Sequence, residues 1–424
     1  MRPRLRQCID APQPKCNALR SRESRKTLHL PGPLPFAAPV IPYSKQSLDA
    51  EDRAAVAAVL EGDWLTQGPA VSSFEEAVAD RCGVPHAVAF SSGTAALHGA
   101  AFAAGVGPGD EIVTSAITFA ASANCGAYLG ARPLFADIEA DTWNVSAASL
   151  EAAMTPRVKA VIPVHFAGLP APIEPIRELV GPDVAIVEDA AHALGGHSGE
   201  GEVGSCAHSD MAIFSLHPTK AITSAEGGVV TTRDPELAER LAAFRQHGMV
   251  RDPERFVHPE GAGDEGPWYH EQQHLGFNYR LSDVHAALGR SQLGKLDSHV
   301  AARNAVAARY REELAGIDGL SLPPEAGEGS LHAHHLFVVH LRDGTARRLR
   351  LYRQLLENEI RTQVHYIPVY RHPYYRSAFG YGPGLCPEAE RYYAGCLSLP
   401  CYPGLTTTEQ DRVIGVVREA MGDG

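Results

Sequence analysis

The stretch that decides the reading is Phe214-Ser215-Leu216-His217-Pro218-Thr219-Lys220, followed by Ile222-Thr223-Ser224-Ala225-Glu226-Gly227-Gly228. Thirty-one residues before the lysine lies Glu188-Asp189-Ala190-Ala191-His192. Asp189 closes an apolar run, Val184 to Val187, and an Asp at the C-terminal end of a strand is well placed to meet a ligand. Lys220 sits amid apolar and small residues, with Ser215 five positions earlier. Together these meet the requirements of pyridoxal phosphate (PLP) chemistry. The lysine holds the cofactor as an imine and moves protons, while the Asp pairs with the pyridine nitrogen and keeps the ring an electron sink. Partial burial would lower the pKa of the lysine and help it act as a base. His192, three residues after Asp189, falls within reach of the ring hydroxyl, and Glu226-Gly227-Gly228 reads as a tight turn that positions the segment.

Outward from this core the pattern is α/β. The apolar strand His86–Phe90 runs into Ser91-Ser92-Gly93-Thr94-Ala95 and an Ala-rich helix stopped near Gly105. Backbone N–H groups at a helix N-terminus, a Thr hydroxyl and a Gly that permits close approach make an anion site suited to the cofactor phosphate. Thr118-Phe119-Ala120-Ala121-Ser122 follows the strand Glu111–Ser115, and Phe119 there is placed to cover one face of the cofactor ring. Further strands are expected at Pro133–Asp137, Ala160–His165, Ala185–Glu188, Met211–Ser215 and Gly228–Thr231. Strands alternating with helices predict a mixed, mostly parallel sheet covered on both faces. A helical stretch Leu281–Leu314, a strand Leu336–Leu341 and helices Ala346–Glu359 and Thr408–Met421 predict a smaller α+β domain. The expected division is a large cofactor-binding domain over 39–285 and a small C-terminal domain over 286–424.

Composition excludes several classes. A chain of 424 residues, 44% hydrophobic and 21% charged, is globular rather than fibrous or disordered. The net charge of -12 argues against nucleic acid as a partner, because phosphate backbones demand clustered Lys and Arg. Eight cysteines show no CxxC and no ligand spacing, which predicts neither a zinc site nor a redox pair. His270, His274, His332, His334 and His335 lack acidic or thiol partners, and 332–335 reads as a strand edge with mixed faces, so no metal is expected. No apolar run reaches about 18 residues and no secretory pattern opens the chain, which predicts a cytoplasmic protein with no membrane partner. Residues 1–38 carry six prolines and a basic excess without amphipathic period, and read as a disordered extension or a start codon chosen too far upstream.

These motifs resemble the DegT/DnrJ/EryC1/StrS sugar aminotransferases over residues 41–415. The resemblance is carried by Tyr43-Ser44, Leu65-Thr66-Gln67-Gly68, Phe214 through Gly228, Phe244-Arg245-Gln246-His247-Gly248-Met249 and Gly276-Phe277-Asn278-Tyr279-Arg280-Leu281. It implies the fold type I architecture of PLP enzymes, like aspartate aminotransferase. By the same resemblance Lys220 holds the cofactor, Asp189 meets the pyridine nitrogen and His192 lies near the ring oxygen. Thr94, Ala95 and Ser215 hold the phosphate, helped by Asn278 of the other subunit of a homodimer. Tyr43, Trp64, Leu65, Thr66, His365 and Tyr366 line the nucleotide-sugar site. Gln363-Val364-His365-Tyr366 and Ser398-Leu399-Pro400-Cys401 favour the subgroup that moves an amino group from L-glutamate to C4 of a UDP-linked 4-keto-6-deoxy-N-acetylhexosamine in pseudaminic acid synthesis. Pro218-Thr219 before the lysine and Ala221 after it depart from many members, which bears on sugar preference. The alternatives are an aminotransferase for a GDP-linked sugar or for C3, the sugar dehydratase branch that carries His in place of the lysine, and an idle binding protein on the same fold. Lys220 argues against the second, and Lys220 with Asp189 against the third.

Overall fold

The apolar runs that follow one another at intervals of about twenty to thirty residues become a single seven-stranded sheet. Its strands are β1 (His86–Phe90), β2 (Glu111–Ser115), β3 (Arg132–Ala136), β4 (Val158–Ile162), β5 (Ala185–Asp189), β6 (Met211–Ser215) and β7 (Gly228–Thr232). The computed structural model describes residues 40–422 apart from 200 and 343, so the extension expected over residues 1–38 lies outside the described residues. Across the sheet the order is β1-β7-β6-β5-β4-β2-β3. Neighbours from β6 to β3 are parallel, whereas β7 is antiparallel to both β6 and β1. The two reversals cancel, so β1 runs in the direction of the other five. The carboxyl ends of β1, β2, β5 and β6 therefore lie along one edge, beside the first residue of β7.

β3 and β4 start one and two residues earlier than the sequence suggested. Register explains it, since Glu111 of β2 pairs with Arg132 on one side and Val158 on the other. Pro163 then ends β4, because its nitrogen has no hydrogen to give the ladder.

Two helical layers cover the sheet. On one face α3 (Gly93–Ala103) and α5 (Pro235–Phe244) bury Ala96, Ala100 and Leu241 against Val88, Ile213 and Val230. On the other, α2 (Pro69–Cys82), α6 (Asp283–Leu293) and α7 (Leu296–Leu314) bury Phe74, Ala286 and Val300 against Ala89, Phe214 and Val229. Ile213 and Phe214, like Val230 and Val229, thus point to opposite layers, the period-two alternation of a strand covered twice. The helical stretch predicted over 281–314 is two helices, parted at Gly294-Lys295. Leu65-Thr66-Gln67-Gly68 acquires a structural meaning here. Gly68 starts α2 without a capping side chain of its own, and the buried Asp283 supplies the cap by accepting from the N–H groups of Gly68 and Ala70.

Beyond α7 come a three-stranded antiparallel sheet of β8 (Leu320–Ser321), β9 (Phe337–Leu341) and β10 (Cys396–Leu399), and the helices α8 (Thr345–Glu357) and α9 (Thr407–Met421). Ile41 packs with this second core, among Tyr310, Phe337, Leu355 and Leu397, and its main chain pairs with Glu359 and Arg361. A further apolar cluster joins the halves, setting Ile117 and Phe135 against Val338, Tyr370 and Cys396.

Closure of the sheet edge depends on glycine at the start of β7. A Cβ on Gly228 would stand 2.4 Å from the Ser92 carbonyl oxygen and 2.8 Å from Gly93 Cα. We expect Gly228→Ala to lower the unfolding free energy by about 1–3 kcal/mol, as overpacking against main chain does. Urea unfolding checks this; a midpoint equal to that of the parent protein would contradict it.

Candidate active site

Lys220 is one of six lysines in the chain and, among the described residues, the lysine that lines a cavity of about 340 Å³ at the sheet's carboxyl edge, where it is half-buried. The loop that carries it is tied down at several points. Leu216 N–H donates to Gly227, Ser224 N–H to Leu216, and Lys220 N–H to His217. Thr223 Oγ1 donates to the Leu216 carbonyl and accepts from Ala225 N–H, while Ser224 Oγ donates to the Glu226 carbonyl. The turn read from Glu226-Gly227-Gly228 is thus fixed by the hydroxyls just before it, and it brings Glu226 to the cavity wall. Ser44 Oγ donates to the Thr219 carbonyl from the N-terminal segment. Desolvation lowers the Lys220 amine to about 8, with Asp189 pulling the other way and Arg303 adding to the depression.

Asp189 is buried at the end of β5. Its Oδ2 accepts from Ser122 Oγ at 2.6 Å and its Oδ1 from Ala191 N–H at 3.2 Å. Ser122 lies in turn 2.6 Å from Thr118 Oγ1. Ser122 had no role in the sequence reading; its spacing of four from Thr118, at the start of α4 (Ala121–Tyr128), was the signal that places both hydroxyls on one side of that turn.

α3 opens with Ser92 as N-cap, its hydroxyl accepting from Ala95 N–H at 3.1 Å. The helix end is an anion site by geometry, with Gly93 and Thr94 on the cavity wall and Ser215 beside them. A Cβ on Gly93 would meet Ser215 Cβ at 2.9 Å, so glycine is what lets the two close up. The Ala95 amide is already used by the cap.

His192 lines the cavity and is buried, with Nε2 3.2 Å from the Tyr366 hydroxyl and its ring 4.3 Å from that of His335. Its Nδ1 is buried without a partner. His365 sets Nδ1 2.7 Å from Ser398 Oγ. Residues 332–335 differ from the expected strand edge. Only Leu331 forms a bridge, and all three histidines are buried, with the rings of His332 and His334 stacked 3.8 Å apart. The physical reason is local: His332 Nδ1 accepts from His334 N–H, and His334 takes a φ of 44°, so the chain curls instead of extending. Among the described residues no group of three or more His, Cys, Asp or Glu is placed to hold a metal.

The structure therefore brings together Lys220, Asp189, His192, Gly93, Thr94, Ser215, Phe119, Tyr43, His365 and Tyr366 around one cavity. Phe119 stands 60% exposed with its ring 6.2 Å from that of Tyr366. Trp64, Leu65 and Thr66 are exposed and do not line this cavity, and neither does Asn278, which pairs with Gln246. The residues present fit PLP: an anion cradle, a carboxylate and a lysine line one cavity, and the unpartnered Nδ1 of His192 belongs to the same lining.

Residues 46–418 match the profile of the DegT/DnrJ/EryC1/StrS aminotransferase family. The chain belongs to that family. It is 39% identical over 386 residues to the spore coat polysaccharide biosynthesis protein SpsC of Bacillus subtilis, covering 90% of this chain and 97% of SpsC. Among solved structures it resembles Helicobacter pylori PseC, an aminotransferase involved in the biosynthesis of pseudoaminic acid, with a TM-score of 0.82 and 30% identity over 91% of this chain and all of PseC. The PLP form of the putative sugar aminotransferase Spr1654 from Streptococcus pneumoniae matches with a TM-score of 0.82 and 25% identity, over 91% and 99% of the two chains. The fold is the type I fold of PLP-dependent sugar aminotransferases, and PLP is the cofactor that family membership implies.

The buried histidines make stability depend on pH. Burial holds His192, His332 and His335 well below the ordinary histidine range and lowers His334 and His365 to about 3. The unfolded chain binds protons at these side chains near pH 6.5, where the folded one does not, so their contribution is complete above about pH 6.5 and is lost as the pH falls toward 3. Unfolding free energy measured from pH 7.5 to 5 should fall through this window, and replacing His332 and His334 with Asn should flatten the slope. A slope unchanged by the double substitution would contradict the assignment.

Proposed function

We propose that this chain is a PLP-dependent nucleotide-sugar aminotransferase that moves the amino group of L-glutamate to C4 of a UDP-linked 4-keto-6-deoxy-N-acetylhexosamine, the step that yields UDP-4-amino-4,6-dideoxy-N-acetyl-β-L-altrosamine. The observation that carries the catalytic part is the meeting of Lys220, Asp189 and the Gly93–Thr94 cradle in one cavity. When bound, the cofactor supplies an electron sink for the charge left by breaking a carbon–hydrogen bond. Lys220 would hold it covalently and, once released by the incoming amine, carry the proton between carbon atoms; an amine near 8 is suited to both duties at neutral pH. Asp189, fixed by Ser122 and Ala191, would keep the ring nitrogen protonated, and His192 would meet the ring oxygen. Thr94, Ser215 and the end of α3 would take the phosphate, and Phe119 would close over one face of the ring.

For the sugar, Tyr43, His365 and Tyr366 form the near wall. Trp64, Leu65 and Thr66 would extend the site outward, with the bulk of the nucleotide supplying remote binding energy. Asn278 would act from a second copy of the chain, whose contact would also cover the exposed Trp64, Leu275 and Phe277. The reaction belongs to the cytoplasm on this reading; no described helix is long and apolar enough to cross a membrane. The likeness to PseC supports the choice of sugar. A second reading, an aminotransferase for another polysaccharide sugar, is favoured by the higher identity to SpsC, 39% against 30%.

Mass-spectrometric assay with L-glutamate and a panel of UDP- and GDP-linked 4-keto-6-deoxy sugars separates the two. Preferred amination of UDP-2-acetamido-2,6-dideoxy-L-arabino-hexos-4-ulose supports the first reading, and preference for another sugar the second. Lys220→Ala should abolish turnover, and Asp189→Asn should keep the fold while slowing turnover by about two to four orders of magnitude. Turnover at the parent rate in either variant would remove that residue from the mechanism.

A further inference from the structure

Arg303 belongs to no motif in the sequence and does not line the cavity, yet its charged guanidinium is fully buried. It sits on α7 with 1% of its surface exposed. Nη1 donates to the carbonyls of Cys401 at 2.7 Å, His335 at 3.2 Å and His334 at 3.4 Å. Nη2 donates to the carbonyls of Lys220 at 3.1 Å and Thr219 at 3.3 Å. All five acceptors are main-chain oxygens, and Nε has no partner. A buried cation answered by carbonyl dipoles and, among side chains, by the Cys401 thiol rather than a carboxylate is costly, and an apolar side chain would fill the same space more cheaply. Stability alone therefore gives little reason for an arginine here. What the arginine does is tie three separate segments together at the main chain of the lysine itself: the lysine loop, the His334–His335 curl and the Cys401 turn.

We propose that Arg303 is a positioning residue for Lys220, fixing the main chain that carries the amine and standing behind it as a permanent positive charge. The fork is suited to the task because five rigidly arranged donors span three segments, which one compact ammonium cannot. The charge has a second effect. Facing the amine in the cavity are the carboxylates of Asp189 and Glu226, the phenols of Tyr43 and Tyr366 and the imidazoles of His192, His217, His335 and His365. Asp189 favours the ammonium form, whereas burial and Arg303 disfavour it. Arg303 thus offsets part of the Asp189 charge, so one carboxylate can serve the cofactor ring without fixing a proton on the neighbouring base.

This inference rests on the reading that Lys220 serves the reaction, and its test keeps the two apart. In full-length protein freed of cofactor, competitive labelling of the Lys220 amine against pH gives the midpoint of its titration, independent of turnover. Arg303→Met should move that midpoint upward by at least about half a unit, the direction expected when a nearby positive charge is removed. It should also lower kcat by about 10- to 100-fold, the effect of displacing a catalytic group by roughly an ångström, with KM for L-glutamate changed by less than about threefold. Arg303→Lys keeps the charge but not the fork; its midpoint should stay near the parent value while kcat still falls. A parent midpoint in Arg303→Met, or parent kcat in Arg303→Lys, would overturn the proposal. If Arg303→Met does not fold, Arg303→Lys alone decides. Failure of the catalytic reading would instead appear as turnover by Lys220→Ala, whatever the midpoint in the Arg303 variants.

Discussion

Bringing a desolvated amine and a carboxylate into one cavity is the constraint on which the rest of the structure depends. Asp189 ends β5, and Ser215, five residues before Lys220, ends the adjacent parallel β6, so one ladder fixes the carboxylate and the start of the lysine loop. Water would screen the pair and leave the lysine an ordinary cation; exclusion of water is what brings its amine toward neutral pH. That exclusion requires the loop after β6 to fold back on itself, which the hydroxyls of Thr223 and Ser224 accomplish. It also requires β7 to return antiparallel and press Gly228 against the Ser92–Gly93 main chain. The anion cradle, the carboxylate and the lysine loop are therefore consequences of one sheet edge rather than three separate devices.

The second core completes the cavity from behind. His335 precedes β9, His365 is tied to Ser398 of β10, and Ile41 anchors the segment that carries Tyr43 and Ser44. Loops from both ends of the chain thereby reach the lysine. On the proposed reading, reaction type is set by the sheet edge and choice of sugar by the part of the cavity lined by Tyr43, His365 and Tyr366, while Trp64 and Leu65 stand exposed outside that lining. This separation is why membership of the family fixes the chemistry more firmly than the substrate.

Much of this was legible from the sequence where local pattern and tertiary placement agree. Apolar runs closed by Asp189 and Ser215 announced strands that end at those residues, and both line the cavity. What the sequence hid was long-range pairing. Ser122 meets Asp189 across 67 residues, and Arg303 meets Lys220 across 83. Nothing near Arg303 in the chain marks it, since its helix carries two further arginines, Arg309 and Arg311, and its acceptors are carbonyls, which every residue has. His332 to His335 misled for a related reason: alternation normally signals a strand, but a histidine acceptor two residues from an N–H can curl the chain instead. Strand β10 went unread because four apolar and small residues between a helix and Pro400 give too short a pattern to separate from a loop.

The measurement that tests the central claim most directly is reduction of the PLP-bound protein with borohydride, followed by peptide mapping of the cofactor-bearing lysine. The structure predicts the label on Lys220 alone of the six lysines, and loss of that label in Lys220→Ala. A label on another lysine, or none in a protein that binds PLP tightly, would contradict the account.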